Sequence, residues 1–72
     1  MMQYLIIFEK NKQGHFGAYV PDLPGCVSFG DTIDEAKKNI KEAIEFHIEG
    51  LKMENLPIPD ASTFSDTLQV AI

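Results

Sequence analysis

Residues 19–35, YVPDLPGCVSFGDTIDE, restrict this chain more than any other stretch. Val20 and Leu23 each precede a proline, which pushes both toward extended backbone. Pro24-Gly25 is the pair that a type II turn requires, because proline presets φ at the first central position and glycine accepts positive φ at the second. Cys26 to Phe29 return to an extended pattern, and Gly30-Asp31 break it. Thr32 stands three residues before Glu35, a spacing that lets two side chains satisfy two orphan amides at a helix start. Strand, rigid turn, strand and capped helix therefore follow one another without room for a long loop.

Upstream, Tyr4-Leu5-Ile6-Ile7-Phe8 is a continuous apolar run rich in β-formers, closed by a polar, hairpin-length loop that ends at Gly14. As a strand it sends Tyr4, Ile6 and Phe8 to one face and Leu5 and Ile7 to the other. His15 to Val20 form a second strand, with Phe16, Ala18 and Val20 on one face, and Val27 and Phe29 share a face of the third. Ile33, Ala36, Ile40, Ala43, Ile44, His47 and Leu51 recur at three- and four-residue spacing and predict a helix over about residues 33–51, with Gly50 contributing to its C-cap or the boundary falling a few residues later. Pro57 and Pro59 exclude helix from the following connector. Leu68, Val70 and Ile72 alternate with Gln69 and Ala71, predicting a last strand. The expected fold is α+β and a single domain over residues 1–72: a small three-stranded antiparallel sheet plus one helix, and a fourth strand set parallel to the first by a right-handed crossover.

Two features of the helix depart from simple amphipathicity. Phe46 falls well off the apolar stripe, and Glu42, Glu45 and Glu49 crowd the C-terminal half, where carboxylates oppose the helix dipole. A solvated acidic face accounts for the glutamates alone; a partner surface accounts for them together with Phe46. A domain of this size buries only about 60% of the surface its unfolded chain exposes. One helix covers one face of a sheet, so apolar residues on the other predict self-association. The expected interface set is Phe46, Glu42, Glu45 and Glu49 with Tyr4, Ile6 and Phe8.

The formal charge is -5 and no arginine is present. Phosphate backbones are held by Arg and Lys, so direct nucleic-acid binding is disfavoured, and an acidic surface steers toward a basic partner. Cys26 is alone, which rules out an intrachain disulfide and suits a reducing compartment. No apolar run is long enough to cross a bilayer or serve as a secretory core, so the expected location is cytoplasmic.

Chemistry is sparse. No glycine-rich phosphate loop or nucleophile elbow occurs, and the spacings of His15, His47, Cys26 and Asp22 follow no metal-ligand pattern. A two-metal nuclease needs carboxylates projecting together from strands and a helix, whereas the first strand offers only Glu9 and the last none. Neither catalysis nor a cofactor is expected.

Residues 19–34, the PDLPGC turn followed by GDTIDEA, closely resemble the N-terminal domain of HicB-like antitoxins. The resemblance continues through AIEFHIEGL to the Leu-Pro-Ile-Pro connector. It implies a partial ribonuclease-H-like fold, β-β-β-α-β, assembly as dimers or tetramers, and a role in binding and neutralising a small basic HicA-type toxin, an mRNA-cleaving ribonuclease. Full members usually carry a C-terminal DNA-binding domain that represses their own operon, and none is expected within these 72 residues. Two other readings stand beside this one: an orphan oligomeric domain with a structural or regulatory role, and a degenerate ribonuclease-H-like nuclease.

Overall fold

The computed structural model describes residues 2–72. Strands β1 (Ile7–Lys10), β2 (Phe16–Tyr19) and β3 (Val27–Gly30) form an antiparallel meander in the order β1-β2-β3, followed by one helix, α1 (Ile33–Met53). Pairing of Phe8 with Ala18 and of Ala18 with Ser28 fixes the register. Tyr4, Ile6, Phe8, Ala18 and Val20 therefore face the helix, while Ile7, Tyr19 and Val27 face away from it. The first strand is displaced from its expected place at residues 4–8. Its ladder starts at Ile7 because β2 ends at Tyr19 and Val20 already bends into the following turn. The polar pair Glu9-Lys10 is drawn into the ladder by the tight hairpin loop, where the Asn11 carbonyl accepts from the Gly14 N–H at 3.1 Å and Gly14 takes φ 87°.

The Pro24-Gly25 turn is as expected. The Cys26 N–H donates to the Leu23 carbonyl at 3.0 Å, and Gly25 has φ 84°. The turn folds Leu23 back under the sheet, where it is fully buried among Ala18, Val20, Cys26 and Ile40. At the helix start the Thr32 hydroxyl accepts from the Glu35 N–H at 3.1 Å. The reciprocal bond reaches one residue further back than a standard capping box, with the Asp31 N–H donating to Glu35 Oε1 at 2.9 Å. Gly30 lets this joint close: a Cβ there would lie 2.5 Å from the Ala36 backbone nitrogen.

At the other end of α1 the expected cap at Gly50 is corrected. Gly50 lies inside the helix, and the left-handed residue is Asn55, at φ 57°. The Leu56 N–H reaches the Leu51 carbonyl and the Asn55 N–H reaches the Lys52 carbonyl, a Schellman arrangement. Asparagine tolerates that backbone because its short polar side chain bonds locally.

The fourth strand does not form within the chain. Residues 57–72 hold no regular structure, and Leu68, Val70 and Ile72 are exposed. The connector is nonetheless anchored. The Tyr4 hydroxyl donates to the Pro59 carbonyl at 2.6 Å, and Asp22 accepts from the Thr63 hydroxyl at 2.6 Å and the Thr63 N–H at 3.0 Å. Asp22 lies beyond the end of β2, one strand in from the free edge of β1.

Candidate functional site

The helix lies over β3 and β2 and leaves β1 largely uncovered. That offset produces two grooves, one on each flank of α1, and it separates the residues that sequence reasoning had grouped.

On the β1 flank, Tyr4, Ile6 and Phe8 form one wall and Ile40, Ile44 and Ile48 the other, enclosing about 790 Å³. Tyr4, Ile6 and Phe8 are half-buried and pack on the core, so they are not the outward patch expected to lie beyond the reach of the helix. The lip carries Lys37, Lys41 and Lys52, with Glu45 among them. Burial pushes the Tyr4 phenol above its ordinary range, assisted by the nearby charges of Asp22 and Asp60, so it stays a neutral donor to Pro59.

On the β3 flank a shallower groove of about 440 Å³ runs between the Pro24-Gly25 turn and the last turns of the helix. Val27, Ala43, Phe46 and His47 line it. Phe46 is 81% exposed, an unusual position for a phenyl ring on a helix that has an apolar face to bury it in. Glu42 and Glu49 are exposed. At 100° per residue they stand on the crest of α1 beside Phe46, while Glu45 falls toward the lysines. The apolar surface continues round the β3 edge to Phe29, 71% exposed on the outer face, where its ring covers the bare backbone of Gly17. One β3 carbonyl is already partnered, since the Asn39 amide donates to Phe29 at 2.7 Å.

Pro24 and Gly25 occupy the turn, and Thr32 and Glu35 the helix cap. Phe46, Glu42 and Glu49 share one flank, whereas Glu45, Tyr4, Ile6 and Phe8 belong to the other groove. Sequence reasoning missed Asp22. Its hydrogen bonds, led by that from the Thr63 hydroxyl, hold the carboxyl below the usual carboxylate range. Only the distance of 41 positions to Thr63 hid it. Cys26 is buried, and desolvation raises its thiol pKa, which leaves it protonated and unreactive. Among the described residues, no three His, Cys, Asp or Glu side chains converge to hold a metal ion. Nor, among the described residues, is any helix long and apolar enough to cross a membrane.

The family model for the HicB-like antitoxin of bacterial toxin-antitoxin systems matches residues 4–71. The chain belongs to that family. Among its relatives is a UPF0150 protein of Synechocystis, 41% identical over 96% of this chain and 87% of the relative. Another is a UPF0150 protein of Thermoplasma acidophilum, 48% identical over 81% of this chain and 84% of the relative. An uncharacterised 14.9 kDa protein of Haemophilus phage HP1 is 48% identical over 85% of this chain, which spans 45% of the phage protein. Among solved structures, the N-terminal domain of Burkholderia pseudomallei antitoxin HicB superimposes with TM-score 0.68 at 36% identity, covering 88% of this chain and 69% of that one. A chain of the HicA3 and HicB3 toxin-antitoxin complex gives TM-score 0.66 at 38% identity, covering 88% and 70%. The shared core of this HicB-like chain is thus an antiparallel sheet with one helix, an α+β arrangement, and its place in a family of antitoxins is set by sequence and fold together.

Proposed function

We propose that this HicB-like chain neutralises a small basic ribonuclease toxin of the HicA type by holding it against the β3 flank of α1. The observation that carries the reading is the exposed Phe46 ring standing beside an acidic helix crest on the rim of an apolar groove. An aromatic anchor surrounded by charge of one sign is what a binding hot spot for an oppositely charged partner requires. The net charge of -5 adds long-range attraction for a basic protein. The likeness to a HicB chain from a HicA–HicB complex points to the same class of partner. We read the scaffold as partial ribonuclease-H-like, supported by the meander order and the helix that follows β3. In this reading its activity is binding rather than catalysis, it makes no nucleic-acid contact of its own, and it works in the cytoplasm where the toxin meets mRNA.

The test is co-expression with a HicA-type toxin found in the neighbouring gene; the absence of such a gene also counts against the proposal. Growth arrest should be relieved by the wild-type chain. Phe46→Ala combined with Glu42→Lys should weaken the purified complex at least tenfold without changing the chain's own helix content. Failure to relieve arrest, or an affinity indifferent to Phe46 and Glu42, would overturn the proposal and leave an orphan oligomeric domain as the better account.

A further inference from the structure

The trough on the β1 flank has a chemistry that the rest of the surface lacks. Tyr4, Ile6 and Phe8 wall it on one side and three isoleucines of α1 on the other, enclosing about 790 Å³. Small-molecule sites occupy about 300–1,000 Å³ and are mostly apolar. The floor asks for no polar partner. The Tyr4 hydroxyl is already given to the Pro59 carbonyl, and no buried side-chain nitrogen or oxygen among the described residues lacks a hydrogen bond. Whatever enters must therefore be apolar along most of its length.

The lip is cationic in a chain whose net charge is -5. Of the six lysines, Lys37, Lys41 and Lys52 stand on it, with Glu45 among them. Among the described residues the one ion pair is His15 with Asp31, so none of their carboxylates is within ion-pair distance of these ammonium groups. Lys37 and Lys41 are one helical turn apart, with about 5–6 Å between their Cβ atoms, so both can face a single anionic head.

Topology sets the direction of the occupant. α1 follows β3 after a two-residue joint and packs back along it, so it runs antiparallel to β3 and to β1. Phe8 is therefore level with Lys37 and Lys41, and Tyr4 with Ile48 and Lys52. Glu45 stands one turn past Lys41, level with the middle of the trough. At the Tyr4 end Lys52 is opposed by Asp22 and Asp60, which lie close enough to act on the phenol. From Lys37 to Lys52 the helix rises about 22 Å, a length that suits one extended acyl chain.

We infer that the trough binds a single-chain anionic amphiphile, a fatty-acid carboxylate, with its head held by Lys37 and Lys41 and its tail lying between β1 and α1 toward Tyr4. An acidic protein would present its charge to the whole acidic surface, Glu42 and Glu49 included. A small ligand meets the lip alone, because charges beyond about 8–10 Å are screened. The site is on the opposite flank of α1 from Phe46, so it does not rest on the toxin reading.

The probe is dodecanoate, titrated below its micelle concentration into the full chain and followed by calorimetry. Dodecanol serves as the uncharged analogue and dodecyltrimethylammonium as the cationic one. One dodecanoate should bind per chain, at least tenfold tighter than either analogue, with helix content unchanged. Lys37→Gln combined with Lys41→Gln, both at exposed positions, should weaken binding about tenfold, whereas Lys52→Gln should hardly change it. Tyr4 and Tyr19 are the two tyrosines and tryptophan is absent. In a Tyr19→Phe chain, Tyr4 fluorescence should be quenched by a tail brominated at its free end and not by one brominated beside the carboxylate. Equal affinity for the three heads, binding indifferent to the lysine pair, or no saturable binding would overturn the inference. So would a chain that ignores dodecanoate yet sediments with anionic phospholipid vesicles, which would assign the lysines to a membrane surface.

Discussion

Residues 16–20 and 68–72 carry the same kind of pattern, Phe16-Ala18-Val20 in one and Leu68-Val70-Ile72 in the other, and only the first is a strand within the chain. Alternation supplies a face; a ladder and something to bury that face against make the strand. Phe16–Tyr19 has β1 on one side, β3 on the other and the helix above. Residues 68–72 have a competent pattern but no ladder partner and nothing to bury their face against, so they stay exposed. The folded unit, Ile7–Met53, is held by burial and by tight backbone joints, whereas the segment after it is held by side-chain hydrogen bonds at a few points.

The contrast can be broken most forcefully at Leu23, which is 0% exposed. Leu23→Ala removes buried methyl groups beneath the sheet and should cost about 3–4 kcal/mol, read as a fall in the urea midpoint. Gly30→Ala pushes a methyl group into the Ala36 backbone, where neither side is a flexible side chain, and should cost about 2–3 kcal/mol by the same measurement. At Gly25 a Cβ would meet nothing within 4 Å, so the penalty is purely one of backbone conformation at φ 84°. Gly25→Val should therefore cost about 1–2 kcal/mol. An unchanged midpoint would mean the turn has relaxed to another type.

The smallest effect belongs to the connector's clamp. Asp22 is favoured as the carboxylate in the folded chain, so its contribution is complete above its ordinary pKa of 3.8 and is lost as pH falls through the lower, folded value. Protection of the Thr63 amide from hydrogen exchange should disappear across that acid range and be reduced at neutral pH in Asp22→Asn. The urea midpoint of the sheet and helix should hardly move. A clamp that persisted in Asp22→Asn would show that the connector is held by Tyr4 and Pro59 alone.

Much of the folded unit was legible because its signals are local. The Pro24-Gly25 turn, the Thr32 cap and the helical stripe each lie within a few residues of the atoms they position. The faces of β2 and β3 followed from period-two alternation. The start of β1 was not legible, because it depends on where β2 bends away. Asn55 took the helix cap from Gly50 because the helix continues to Met53, and a glycine inside that span has no special duty. The expected interface was read as one surface because every member was off-pattern or apolar. The offset of the helix toward β3 divided it, putting Glu45 with Lys41 and Phe46 with Val27. That offset is a property of packing, invisible in any one element.

The order β1-β2-β3-α1 also has a kinetic meaning. Every strand pair in this unit joins consecutive elements and α1 packs most closely on β3, the strand before it, so no long loop has to close before pairing begins. Such local topologies fold on a timescale of about microseconds to milliseconds, at a rate that does not depend on how many chains are present. A refolding experiment should therefore resolve formation of the sheet and helix as a single phase whose rate is independent of protein concentration.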